Sequence, residues 1–285
     1  MAIRNVGVVG CGLMGSGIAQ VCAARGYETT VREVNAEFLQ RGKDRLTGFL
    51  AEGVKRGKVA QADMDKTLGN LKWTVNCADF KNCDLVVEAV VENLGEKQKV
   101  FAELDQHCKA DAILASNTSS ISVTAIASVT KRRDKVIGLH FMQPVPIMKL
   151  VEIVRPEITS QGTYETARAF IESLGKTVIT AKDTPGFIIN LLLIPYVNEA
   201  VRALDIGLAT REDIDNGMKL GCGMPLGPIE LADFVGLDTC LSIAEVLHRE
   251  TGDPRYAPSP LLRRMVAAGW LGKKSGRGFY DYTKK

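Results

Sequence analysis

Apolar residues fall along this chain in two regimes that meet near residue 184. In the first, short runs rich in Val, Ile and Leu alternate with longer stretches whose apolar positions recur at helical spacing. The short runs, at residues 5–9, 28–32, 72–75, 84–88, 112–116, 136–139, 150–154 and 177–179, predict strands. The intervening spacing predicts helices at 16–24, 36–54, 61–71, 96–107 and 163–174. Strands alternating with helices of this length predict an α/β fold with a parallel, doubly wound sheet. The helical pair at 36–71 is an insertion after the second strand. Beyond Lys182-Asp183-Thr184-Pro185-Gly186 only helices are predicted, at 187–208 with a kink or break near Pro195, 211–220, 228–247 and 260–268. Thr210 with Asp213, and Ser259 before Pro260, supply caps for two of them. The division predicts domains of residues 1–184 and 185–285.

The first strand carries the most informative chemistry. It runs into Gly10-Cys11-Gly12-Leu13-Met14-Gly15 and out into an apolar helix closed by Gly26. Strand, G-x-G-x-x-G and helix in that order form a dinucleotide-binding fingerprint, the mark of a Rossmann-type domain. Gly10 permits the tight turn, Gly12 lets the backbone approach a pyrophosphate, and Gly15 lets helix and strand pack closely. The phosphates would meet the N–H groups and positive dipole end of the helix. Glu33, at the end of the second strand, stands where an adenine ribose 2′-hydroxyl is usually bound. Its carboxylate repels a 2′-phosphate and so favours NAD. Arg32 beside it keeps NADP open, because a guanidinium pairs well with phosphate.

Composition narrows the classes. The 285 residues are 46% hydrophobic and 24% charged, as in an ordinary globular protein. A net charge of +3 is too small to point to nucleic acid or a membrane, so anion binding must come from local clusters. The best such cluster is Lys55-Arg56-Gly57-Lys58, between two predicted helices, a candidate for a phosphate-rich substrate tail. A solvated helix end explains the same residues. Lys131-Arg132-Arg133 and Arg263 read as solvated surface, and His107 and His248 need no functional role. Seven cysteines without a C-x-x-C pair suggest reduced thiols in the cytoplasm rather than disulfides or a metal site. Cys11 reads as a small buried residue. No secretory signal is evident, and the apolar run 191–194 is too short to span a bilayer.

A catalytic candidate lies later. The strand at 136–139 ends on His140, a turn with Pro144 and Pro146 follows, and the chain returns through 150–154. That turn can set His140 against Glu152, making a general base oriented by a carboxylate. Spacing alone favours a blander reading, a satisfied core histidine and an unrelated strand-end Glu. Ligands in such sheets sit at the carboxyl ends of strands, which singles out the loops 89–97 and 117–120.

With the Gly-rich turn, Asn117-Thr118-Ser119-Ser120, His140-Phe141 through Pro144-Val145-Pro146, Lys149-Leu150-Val151-Glu152, Pro185-Gly186-Phe187 and Gly276-Arg277-Gly278-Phe279-Tyr280 in one order, the chain resembles the 3-hydroxyacyl-CoA dehydrogenases. It is most similar to the short bacterial 3-hydroxybutyryl-CoA dehydrogenases. The resemblance implies NAD-dependent oxidation of (S)-3-hydroxyacyl-CoA to 3-ketoacyl-CoA, and the reverse. It implies His140 as base, Glu152 as its orienting carboxylate, and Ser119 and Asn190 near the substrate. It further implies cofactor contacts from Glu33, Glu92, Lys97, Asn117, Ser119, Gln143 and Lys274, beside Gly10, Gly12, Leu13, Met14 and Gly15. Lys55 and Arg56 would meet the CoA tail, and a homodimer would form through the helical domain. The chain departs from the family at Gln143, where Asn is usual, and at Gly223-Met224-Pro225, where relatives often read Asn-His-Pro. Two other readings share the motifs. A dehydrogenase of a free hydroxy acid or sugar acid would need no CoA site. A non-catalytic NAD-binding sensor would need no His–Glu pair.

Overall fold

The computed structural model describes residues 2–283. Eight strands build one sheet: β1 (Asn5–Val9), β2 (Glu28–Arg32), β3 (Leu71–Thr74), β4 (Leu85–Glu88), β5 (Ile113–Ser116), β6 (Val136–Phe141), β7 (Leu150–Arg155) and β8 (Thr177–Lys182). Their order is β3-β2-β1-β4-β5-β6-β7-β8. The first six are parallel, whereas β7 pairs antiparallel with β6 and parallel with β8. The expected parallel sheet is therefore mixed at one edge. The connection between Phe141 and Leu150 is too short for a crossover helix, so the chain must turn straight back.

Helices α1 (Leu13–Ala24), α2 (Ala36–Lys55), α3 (Gln61–Gly69), α4 (Leu94–His107), α5 (Val123–Ala127) and α6 (Gln161–Ser173) complete this unit. Val6, Val8, Ile18, Leu85, Leu114 and Ile137 are fully buried between sheet and helices. Strand β1 lies between β2 and β4, so the strand order reverses beside it. A crevice opens at such a reversal, outside the carboxyl ends of the strands.

The chain divides into two compact units between Thr184 and Pro185. The second holds α7 (Ile189–Asp205), α8 (Arg211–Asn216), α9 (Pro228–Val235), α10 (Leu237–Thr251) and α11 (Pro260–Ala267). Its own core includes Ile194, Val201, Leu237 and Leu247. Helix α7 runs through Pro195 rather than ending there, and α8 passes at Gly217 into a π-helical turn. The helix expected over 228–247 is two helices, because Gly236 adopts φ 102°, a left-handed value that breaks the ladder. The caps at Thr210 and Ser259 form, accepting from the N–H groups of Asp213 and Leu262.

One surface expectation fails. The Arg132 side chain is only 11% exposed, because it pairs with Asp105 and donates to the carbonyls of Asp105, Cys108 and Lys109 at the end of α4. It serves as a C-cap, where a cation also suits the helix dipole.

The C-terminal tail is held by a buried carboxylate. Asp233 accepts from the N–H groups of Phe279 and Tyr280 at 2.9 Å and from the Tyr282 hydroxyl at 3.1 Å. A Cβ on Gly278 would lie 1.9 Å from Asp233 Oδ1, so only glycine fits there. Asp233→Ala strands these donors and is expected to destabilise the protein by about 3 kcal/mol, read from the urea midpoint. A change within experimental error would show that the tail contributes little to stability.

Candidate active site

The fingerprint turn has the geometry its glycines require. Gly10 adopts φ 87°, and a Cβ there would lie 2.7 Å from the Ala89 carbonyl oxygen. A Cβ on Gly15 would lie 1.7 Å from the Gly10 oxygen, so α1 could not seat on β1 with any other residue. A Cβ on Gly12 would meet nothing within 4 Å. The backbone is thus open at Gly12, where Leu13 is exposed and Met14 half-buried at the start of α1. These residues fit a dinucleotide pyrophosphate. Glu33 reaches the turn: Oε1 accepts from Cys11 N–H at 2.5 Å and Oε2 from Val34 N–H at 3.0 Å. Cys11 is buried, and burial together with the Glu33 charge pushes its thiol up to about 11. It is an inert packing group.

At the ends of β4 and β5 an ion network built on buried Lys97 and Glu88 reaches the exposed Glu92 and links the two loops. Lys97, on α4, is 1% exposed, with Nζ 2.7 Å from Glu88 Oε1 and 3.2 Å from Glu92 Oε2. Glu88 also accepts from Ser116 Oγ at 2.6 Å and Val90 N–H at 2.7 Å. Glu92 accepts from Thr118 Oγ1 at 2.5 Å and from Ser119 N–H at 2.9 Å and Oγ at 3.3 Å. Burial raises the Glu92 carboxyl, but Lys97, Thr118 and Ser119 outweigh it and hold the group below the usual range. One ammonium therefore ties the loop after β4 to the loop after β5, and with it Ser119. Asp183 fixes the far end of that second loop, accepting from Ser122 Oγ and from the N–H groups of Val123 and Thr124. Asn117 turns the other way, its Oδ1 accepting from Phe141 N–H at 2.9 Å.

His140 stands directly opposite Glu152 in the β6–β7 register, and Nδ1 lies 3.0 Å from Glu152 Oε2. Cross-strand partners project from the same face of a sheet. Glu152 is fully buried and His140 is 8% exposed. An ionised carboxylate only accepts, so Nδ1 carries the proton and Nε2 keeps a lone pair. The turn that joins the two strands is held by Lys176, which donates to the carbonyls of Val145 at 2.5 Å and Met148 at 2.6 Å. Burial, and secondarily Arg25, push the Lys176 ammonium below its ordinary range. Gln143 is exposed in the same turn.

A cleft of about 1070 Å³ opens on the first unit, lined by Val21, Phe49, Arg56, Lys58, Ile147 and Lys176 among others. The basic turn borders it through Arg56 and Lys58, while Lys55 is exposed outside the lining. Arg56 also pairs with Glu52 one helical turn back. In the second unit, Asn190 is buried on the first turn of α7, and Lys274 pairs with Asp238 at 2.6 Å.

Sequence reasoning missed Glu88, Ser116 and Lys176. Glu88 and Ser116 end apolar strands, a polar signal that was visible. Nothing local marks Lys176. Among the described residues no group of three or more His, Cys, Asp or Glu side chains forms a metal site. No described helix is long and apolar enough to cross a membrane.

Two family descriptions match in tandem: "3-hydroxyacyl-CoA dehydrogenase, NAD binding domain" over residues 5–184, and the C-terminal domain of the same family over 186–282. The chain is 46% identical to the 3-hydroxybutyryl-CoA dehydrogenase of Bradyrhizobium diazoefficiens, covering 98% of this chain and 96% of that one. It is 44% identical to the human mitochondrial hydroxyacyl-coenzyme A dehydrogenase, covering 98% and 91%. Among solved structures, the (S)-3-hydroxybutyryl-CoA dehydrogenase of Ralstonia eutropha matches with a TM-score of 0.94 and 46% identity, covering 99% of this chain and 100% of that one.

The buried network makes its own prediction. Lys97→Met leaves Glu88 and Glu92 without their cation and is expected to destabilise the protein by about 3–5 kcal/mol in urea. Adding Glu88→Gln removes one stranded charge and is expected to recover part of that loss. Simple additivity of the two losses would show that the pair is not coupled.

Proposed function

The chain belongs to the 3-hydroxyacyl-CoA dehydrogenase family, and on that premise we propose that it oxidises (S)-3-hydroxybutyryl-CoA to acetoacetyl-CoA with NAD, and catalyses the reverse. The observation that carries this reading is the His140–Glu152 pair, set on the same sheet as the dinucleotide-binding turn.

The C3 hydroxyl needs a proton acceptor as its C–H bond breaks. His140 Nε2 takes that proton, and the imidazolium so formed is stabilised through Nδ1–H by the Glu152 carboxylate. Bound NAD supplies the acceptor for the hydride that leaves C3, so two electrons and one proton are accounted for. Gly10, Gly12, Leu13, Met14 and Gly15 would hold its pyrophosphate, and Glu33 its adenine ribose. Glu92, Lys97, Asn117, Ser119, Gln143 and Lys274 are proposed to set the nicotinamide end. In that role Lys97 acts through Glu92, which it holds. Ser119 and Asn190 are proposed to orient the substrate oxygens.

The CoA tail is proposed to run to the basic border of the cleft, where Arg56 and Lys58 meet its phosphates. A homodimer through the second unit is supported by the exposed apolar residues Leu192, Ile206, Leu208, Leu220 and Phe234. Seven free cysteines suit a reducing, cytoplasmic setting.

The test of the function is NADH production from (S)-3-hydroxybutyryl-CoA, with the free hydroxy acid as control. Turnover of the thioester alone is expected. Preference for the free acid would favour a hydroxy-acid dehydrogenase, and no turnover of either would favour a sensor. His140→Gln is expected to lower turnover by about 10²–10⁴-fold while NADH still binds. Near-normal turnover would remove His140 as the base. Arg56→Ala with Lys58→Ala is expected to raise KM for the acyl-CoA roughly three- to tenfold, since exposed pairs are individually weak. An acyl-pantetheine thioester should be indifferent to the same change. The wild-type KM should also rise more steeply with salt than the variant's.

A further inference from the structure

The fingerprint turn has a second charged neighbour. Cys11 presents its N–H to Glu33, and its carbonyl accepts from Arg45 Nη1 at 2.9 Å. Arg45 reaches that oxygen because of Gly42. The two lie three residues apart on α2, hence on one face of the helix. A Cβ on Gly42 would lie 2.4 Å from Cys11 Sγ, so α2 seats against the turn at Gly42. One turn of helix further on, the guanidinium lies over the Cys11 carbonyl. Arg45 is exposed and, among the described residues, has no carboxylate partner. Its charge remains available to an anion.

Arg32 is differently placed. Its side chain is 15% exposed and pairs with Glu103 through Nη1 at 3.1 Å and Nη2 at 3.2 Å. It is neutralised and held by α4, although it adjoins Glu33 in sequence. Successive strand residues point to opposite faces, which is how neighbours come to have different roles.

We infer that Arg45, not Arg32, determines how this site treats a 2′-phosphate. Glu33 excludes that group by repulsion, and Arg45 is the cation that receives it once the carboxylate is gone. The inference rests on the dinucleotide reading of the turn. A guanidinium suits the task, because its planar fork can bond two phosphate oxygens together.

The experiment is a fluorescence titration of NADH and NADPH into the full-length protein. Wild type is expected to bind NADH more tightly. Glu33→Ser is expected to raise NADPH affinity about tenfold, the scale of one charge-assisted hydrogen bond. Adding Arg45→Ala should erase that gain, Arg45→Lys should keep part of it, and Arg32→Ala should leave it intact. A gain that survives Arg45→Ala, or is lost with Arg32→Ala, overturns the inference. So does the absence of any gain in a Glu33→Ser protein that still binds NADH. Failure of wild type to bind NADH would instead overturn the dinucleotide reading itself.

Discussion

The arrangement depends on one cross-strand pair. Because β7 returns antiparallel to β6, His140 and Glu152 face each other as register partners rather than meeting through flexible loops. Glu152 is fully buried, and a buried carboxylate is costly unless it is paired and hydrogen-bonded. The imidazole Nδ1–H meets that need in the resting protein, and a positive imidazolium would meet it better.

The rest of the first unit keeps that pair in place relative to the fingerprint turn. Lys176 grips the connection between the two strands through two carbonyl oxygens. Asn117 braces Phe141, the residue after His140, from the end of β5. Lys97 joins the β4 and β5 loops through Glu88 and Glu92. The molecule's small net charge therefore conceals strong local order. Cations are placed singly, each against chosen oxygens, and no broad basic face is needed.

Much of this was legible in the sequence where the physics is local. The fingerprint, the strand ends and the helix caps depend on residues within a few positions of one another. The Pro-rich turn after His140 allowed a return to Glu152, but the pairing itself was legible only through the family resemblance. What escaped is what only packing decides. The family resemblance named Lys97, but nothing local in α4 shows that it is buried against two carboxylates. Arg45 acquires meaning only because Gly42 lets α2 rest on Cys11. Arg32 loses the role its position suggests because Glu103, distant in sequence, captures it. Gly236 resembled a tolerated glycine inside one helix, but its left-handed backbone separates two.

Glu152 holds His140 with its proton on Nδ1, leaving Nε2 as the acceptor. Since the chain has three histidines, a ¹⁵N-histidine NMR spectrum can be assigned by comparison with His140→Gln. With neutral imidazole, His140 should show a protonated Nδ1 and an unprotonated Nε2, and Glu152→Gln should weaken that preference. A resting His140 that carries its proton on Nε2 would contradict this assignment.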